Sequence, residues 1–322
     1  MTTLLSPEDL LSAVPFLLGF HPEDSLVLIG LTSESITLAM RVDYPLDLDL
    51  DEVERFADHL TRNNCESGLL LAYTPDFVDG GEELLSSIQG ACELRNITIR
   101  ESIIIHTGTW RSLIAPTGPQ PLPELRDSRI AAEQVIDGRP MPLRNIGEVK
   151  NSIAPVETPA ELFAALAEIP EIDYSDNSNS AQREGARALI KLTAGGVPLI
   201  DTDLQLVALV LVRLRDLQVR DFAMGLFDEG QMGSSAELWK ALFRMAPTGY
   251  KAPAGCLFAQ ACYEMGEGAL AHRALDIVIE DDSTYSLAHL LRRAFAAGWP
   301  PSHFHQMRAE LHPKITAAIF QE

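Results

Sequence analysis

The sequence predicts an α/β N-terminal domain, built on a mixed, mainly parallel five-stranded sheet with helices, followed by an all-α domain of helical-hairpin or repeat-like type. Three observations carry this reading. Strand-length apolar runs alternate with helical periodicity through the first half. Beyond residue 180 nothing reads as strand. The 322 residues fit about two domains on a prior of roughly 150 residues each. Turn formers crowd residues 137–159, so the boundary is expected near 155, giving domains 1–155 and 156–322.

The elements follow in order. Ser6-Pro7-Glu8-Asp9 starts a helix: Ser6 can cap, Pro7 suits the first turn, and Asp9 completes a capping-box pattern. The helix is expected to be short, interrupted at Pro15 and ended by Gly19. His21-Pro22-Glu23-Asp24 reads as a turn. Leu26 to Leu31 is a buried strand, and Thr32 to Ser35 links it to a second, Ile36 to Val42, as an antiparallel hairpin. Asp47, Asp49 and Asp51 introduce a helix to about Asn63, with Leu50, Val53, Phe56, Ala57 and Leu60 on its apolar face. Gly68 to Tyr73 is the third strand, Gly80 to Leu94 a helix, and Ile97 to His106 the fourth strand. Thr107-Gly108 turns the chain into a fifth, Thr109 to Ile114. Strands two, three and four, linked by helices, are expected to form right-handed parallel crossovers. A stiff loop with four prolines at 115–123 and a helix at Ser128 to Ile136 complete the domain.

A polar loop, Asp173 to Ser180, precedes the helical half. Helical periodicity then appears at 180–194, 203–227, 234–246, 252–265, 268–280, 285–297 and 301–311. Leu204 to Val212 is apolar almost all round, which marks a central helix. Trp239 and Trp299, at helical spacing among apolar neighbours, are expected in the core.

The formal net charge is −21, with 24 acids against 11 lysines and arginines in residues 1–155 and 22 against 14 in the rest. So acidic a surface repels phosphate backbones and anionic lipids, so neither nucleic acid nor membrane is an expected partner. Arg213, Arg215 and Arg220 are interrupted by Asp216 and Asp221 and read as a solvated helix face. No stretch approaches the ~20 apolar residues of a membrane span. The apolar opening, Leu10 to Phe20, lacks a basic flank and a small-residue cleavage site, so a cytoplasmic protein is expected. Cys65, Cys92, Cys256 and Cys262 show no CxxC pair and no metal spacing, and read as small buried thiols.

The segment LLSAVPFLLGFHPEDSLVL, residues 10–28, closely resembles the opening of an uncharacterised family of actinobacterial proteins, a domain of unknown function. Trp110-Arg111-Ser112, Ser128 to Gly138 and Ala252 to Leu291, with its Gly266-Glu267-Gly268-Ala269-Leu270-Ala271 core, resemble the same family. The resemblance covers nearly the whole chain and implies no activity. Many members carry a cysteine pair shortly after the tryptophan segment; residues 112–122 hold none, which undercuts any metal or redox role built on it. The helical half also resembles one tetratricopeptide-type unit, with Ala259, Cys262, Gly266, Ala271, Leu275 and Val278 where such repeats need small or apolar residues. An ordinary helical hairpin in a bundle accounts for the same pattern.

No dinucleotide fingerprint, Walker A loop, H-E-x-x-H or G-x-S-x-G motif occurs, and no cofactor or metal is expected. Asp47-Leu48-Asp49-Leu50-Asp51 lacks the glycine and distant glutamate of a calcium loop and suits a helix start instead. Glu280-Asp281-Asp282 sits at a helix C-terminus, where acids are unfavourable; it marks either a partner contact or, as the favoured reading, the start of the next helix. His305 and His312 could share a helix face, a weak metal signal.

One spatial inference goes further. Ligands of open α/β sheets bind outside the carboxyl ends of the parallel strands. If the first hairpin folds back beside them, His21, Glu23, Asp24, Asp43, Thr74, Asp76 and His106 meet at one edge, as a crevice for acid–base work or a metal-bound water. Equally, Asp43, Asp76 and Glu23 cap turns and helices, and His21 satisfies a loop carbonyl. The leading expectation is a non-enzymatic interaction or scaffold protein whose helical domain binds another protein. The alternative is a small-molecule, nucleotide-binding or hydrolytic protein using the crevice. Self-association through the helical half is a third possibility.

Overall fold

A computed structural model describes residues 4–45, 50–76, 81–115, 118–137, 141–172 and 178–320. Asp47 and Asp49, Gly80, Pro116, Gly138 and residues 173–177 of the polar loop lie outside them. The chain divides into two compact units: residues 1–149 with 297–299, and residues 150–296 with 300–322.

The first unit opens with α1 (Pro7–Leu18). Ser6 Oγ accepts the Asp9 N–H at 3.3 Å, but the Asp9 carboxylate reaches back to the Leu5 N–H, at 2.9 Å, rather than to Ser6. Contrary to expectation, Pro15 does not interrupt α1, which ends at Gly19 with φ 80°. An interior proline costs a helix about 3 kcal/mol. Burial of Leu10, Leu11 and Val14 against Val27, Ile29 and Leu71 offsets it.

β1 (Ser25–Thr32) and β2 (Ser35–Asp43) form the expected hairpin. Ser33 and Glu34 both take positive φ, 47° and 66°, as in a type I′ turn. Next come α2 (Leu50–Arg62), β3 (Ser67–Tyr73), α3 (Glu82–Glu93), β4 (Thr98–His106) and β5 (Thr109–Ser112). The proline-rich loop adds an unanticipated two-residue strand, β6 (Gln120–Pro121), on the far edge, where proline is tolerated.

The sheet is therefore six-stranded and mixed, in the order β2-β1-β3-β4-β5-β6, not mainly parallel. β1 lies antiparallel to both β2 and β3, and among the named strands β3–β4 is the parallel pair. The reason is in the side chains. β1 is apolar on both faces, Leu26 and Leu28 on one and Val27 and Ile29 on the other, so it gains most from an interior place. β2 carries Thr37, Arg41 and Asp43 and occupies the edge. One face of the sheet packs on α2 and α3 through Phe56, Leu60, Leu85 and Ile88; the other packs on α1. α4 (Arg129–Ile136), capped by Ser128, and the unanticipated α5 (Ile146–Ser152) follow.

The second unit is helical: α6 (Ala160–Glu168), α7 (Ser178–Gly195), α8 (Val197–Thr202), α9 (Leu204–Arg213), α10 (Leu217–Met224), α11 (Met232–Met245), α12 (Lys251–Glu264), α13 (Gly268–Asp281), α14 (Ser286–Ala296) and α15 (Pro301–Phe320). The single helix expected over 203–227 is two, because Asp216 leaves the first and caps the second through the Val219 N–H at 3.0 Å. α9 is buried along most of its length, as its apolar run predicts.

Two expectations fail here. Arg213 and Arg220 are not on a solvated face; they are 5% and 8% exposed. Arg213 bonds Glu184 and the Pro170 carbonyl, and Arg220 pairs with Asp221, so each buried guanidinium is satisfied. Arg215 is exposed, paired with Glu171 and lying 5.5 Å from the centre of the Tyr250 ring. Trp239 is core at 1% exposure, but Trp299 is 51% exposed, because it falls in the turn between α14 and α15 and not on a helix face.

Candidate functional site

The pairing register fixes where the candidate residues lie. Ser25 of β1 stands opposite Asp43 of β2 on one side and Tyr73 of β3 on the other, and Tyr73 stands opposite Ile105 of β4. The start of β1 and the ends of the other three strands form one row. Asp24, Thr74 and His106 each lie one residue beyond it. The Tyr44 N–H donates to the Asp24 carbonyl at 2.8 Å, and the Thr74 N–H to the Ile105 carbonyl at 2.9 Å.

The candidates share this edge but form two groups. Thr74 is buried; its hydroxyl lies 3.1 Å from the Ile105 carbonyl and 2.8 Å from His106 Nδ1. With its one hydrogen given to Ile105, the hydroxyl accepts from Nδ1–H. A Cβ at Gly81, where φ is 119°, would stand 3.1 Å from Thr74 and 3.3 Å from the Tyr44 hydroxyl. Thr74, His106, Tyr44 and the start of α3 therefore gather on the α2–α3 side of the sheet. Burial, with the nearby charge of Glu82, pushes the Tyr44 phenol up. The helix-start N–H of Glu82 itself and then Arg111 hold the Glu82 carboxyl below the usual range.

The second group belongs to the α1 face, since residues two apart share a face and Ser25 and Tyr73 lie in register with it. Ser25 Oγ donates to the Glu23 carbonyl and accepts from Arg41 Nε at 2.7 Å; Arg41 also pairs with Asp43. The Glu23 and Asp43 side chains are exposed. His21 is half-buried; its backbone N–H, not its ring, meets the loop carbonyl, that of Leu143, at 2.9 Å. Burial holds the His21 imidazole below its ordinary value, partly opposed by Glu23. Asp76 is exposed, with no hydrogen bond from its side chain among the described residues.

The row of strand tips is thus assembled, but Thr74–His106 and Ser25–Arg41–Asp43 sit back to back. Sequence reasoning missed Ser25, Arg41, Tyr44 and Gly81. Arg41 was findable: two residues before Asp43, it shares a face with it on an extended strand. Elsewhere, His312 stacks on Phe222 at 5.1 Å and His305 lies 3.9 Å from Glu229, so these two of the three histidines of α15 engage different neighbours.

With the geometry in place, comparison with known proteins gives one result. The profile of DUF4192, a domain of unknown function, matches residues 7–302. The chain belongs to the DUF4192 family. No curated protein and no solved structure matches it. The DUF4192 match spans both units, so the α/β sheet and most of the helical array belong to one family pattern. No helix among the described residues is long and apolar enough to cross a membrane.

Proposed function

We propose that this protein is a binding or scaffold protein and not a catalyst, with the helical domain, residues 156–322, as its protein-interaction surface and the α/β domain, residues 1–155, as its support. One observation carries the reading: at the strand tips Thr74–His106 and Ser25–Arg41–Asp43 are each bonded within their own group, and the two groups lie on opposite faces of the sheet. The α12–α13 hairpin adds support. Ala259, Cys262, Ala271, Leu275 and Val278 are fully buried in it, and Gly266 turns the chain with φ 83°, as a tetratricopeptide-like unit requires. Four buried free cysteines support a reducing, cytoplasmic setting. The test is affinity capture with cross-linking and mass spectrometry. Partner cross-links confined to residues 156–322 are expected; recovery of the protein alone, or cross-links confined to the sheet domain, rejects the proposal.

A second reading rests on the Thr74–His106 hydrogen bond at the end of the parallel β3–β4 pair, where α/β sheets take small ligands. A nucleotide or divalent metal bound there raises thermal stability in proportion to ligand excess, and His106→Ala abolishes the rise. A flat response across nucleotides and metals removes this reading.

A further inference from the structure

A cleft of about 380 Å³ in the helical unit is lined by charges of both signs. Lys150, in α5, and Lys251, which opens α12, supply its positive charges; Glu280 and Asp281, which close α13, supply its negative ones. Ala154 and Ile277 add apolar surface to its lining. The volume lies in the range of roughly 300–1,000 Å³ typical of small-molecule sites.

Three of the four charges have no structural employment. Lys150, Lys251 and Glu280 make no side-chain hydrogen bond or ion pair among the described residues, whereas Asp281 is used, accepting the Gly249 N–H at 3.0 Å. Lys251 stands at the positive end of its helix dipole and Glu280 at the negative end of its own, so neither placement favours the helix that carries it. The walls are held in place. Arg244 donates to the Ala154 carbonyl and Val156 to the Arg244 carbonyl, both at 2.9 Å, and Asp281 pins the turn before α12. On a chain of net charge −21 a bare anion is repelled from long range; a ligand carrying both signs is not.

We propose that this cleft binds a small zwitterion of the amino-acid or dipeptide class, its carboxylate between Lys150 and Lys251 and its ammonium at Glu280. The side chain of the ligand lies over Ala154 and Ile277. This proposal is independent of protein binding elsewhere on the helical domain and of the sheet edge.

Isothermal titration of the full chain tests it, with leucine, alanyl-alanine and leucyl-leucine as probes, beside leucyl-leucine amide and N-acetyl-leucyl-leucine. At least one free probe binds, and for leucyl-leucine each blocked form is at least tenfold weaker. Lys251→Gln weakens the free dipeptide about tenfold and leaves the amide nearly unchanged. Glu280→Gln weakens the free dipeptide and leaves the N-acetyl form nearly unchanged. Neither substituted side chain holds the fold together, and circular dichroism of both variants checks this. Silence from every free probe overturns the proposal. So does equal binding of free and blocked dipeptide, or unchanged affinity in both variants.

Discussion

Two helical glycines separate the effect of backbone from that of packing. Gly90, in α3, has open space where a Cβ would stand. Gly90→Ala should stabilise by about 0.5–1 kcal/mol, since alanine costs less chain entropy in a helix. Gly255, in α12, is different: a Cβ there would lie 2.3 Å from Val278 and 2.7 Å from Phe243. The same propensity gain of about 1 kcal/mol meets an overpacking cost of about 1–3 kcal/mol. Val278 and Phe243 are both buried and cannot give way freely, so Gly255→Ala should destabilise. Urea midpoints of the two variants should move in opposite directions; a shared direction would mean that α13 does not approach α12 so closely. In the sheet Gly30 has the same role, with Cys65 Sγ 2.4 Å and Leu60 2.9 Å from its absent Cβ.

At the scale of elements, α15 is fastened by a buried ion pair. Arg308 and Glu264 have side chains each 5% exposed, with Arg308 bonded through Nε at 3.0 Å and through its terminal nitrogen at 2.6 Å, while its other nitrogen donates to the Phe227 carbonyl at 2.6 Å. Removing one partner leaves the other charge buried and unpaired, at a cost of about 3–5 kcal/mol. Arg308→Met should therefore be more damaging than Arg308→Met combined with Glu264→Leu, by chemical denaturation; equal losses would show the pair to be solvated. Neither this bridge nor the burial of Arg213 and Arg220 was legible in the sequence, because an arginine's environment depends on which distant carboxylate reaches it. What was legible is what local rules dictate. The all-apolar run of β1, the Ser6 cap and the Gly266 turn each follow from a few neighbouring residues. Strand order was not, since the placement of β1 between β2 and β3 is a competition among whole strands for the interior. The candidate edge shows the same division. That the tips of β2, β3 and β4 meet the start of β1 follows from a hairpin, but which face Thr74 or Arg41 takes depends on a register that one residue of slip would reverse.

For the whole molecule, four histidines set the direction of its response to acid. His21, His59, His272 and His312 are all held below their ordinary value near 6.5, burial being the largest cause for each. A histidine kept neutral in the fold binds its proton more readily once unfolded. Between the folded value and about 6.5 the unfolded chain therefore holds more protons, and stability falls as pH falls through that window. Above it the contribution is fully present. Glu267, whose carboxyl burial pushes up, acts in the opposite sense, since its proton is taken up first by the folded state. Its window lies upward from the ordinary glutamate value near 4.3, where it adds stability on acidification. The neighbouring charges divide: Arg62 and Arg55 oppose Asp58 around His59, Asp276 outweighs Arg292 and Arg273 individually at His272, and Arg308 opposes the Phe222 backbone bond at His312, so burial sets the direction at each. The histidines should win between pH 7.5 and 5.5. Urea midpoints followed by circular dichroism at constant ionic strength should decline across that interval, and His272→Gln should flatten the decline, because it removes one of the titrating groups while keeping a polar side chain against Phe295. A midpoint that held level or rose on acidification would mean that these imidazoles are charged in the folded protein, and that the packing around His272 is looser than its contact with the Phe295 ring, centroids 5.9 Å apart, implies.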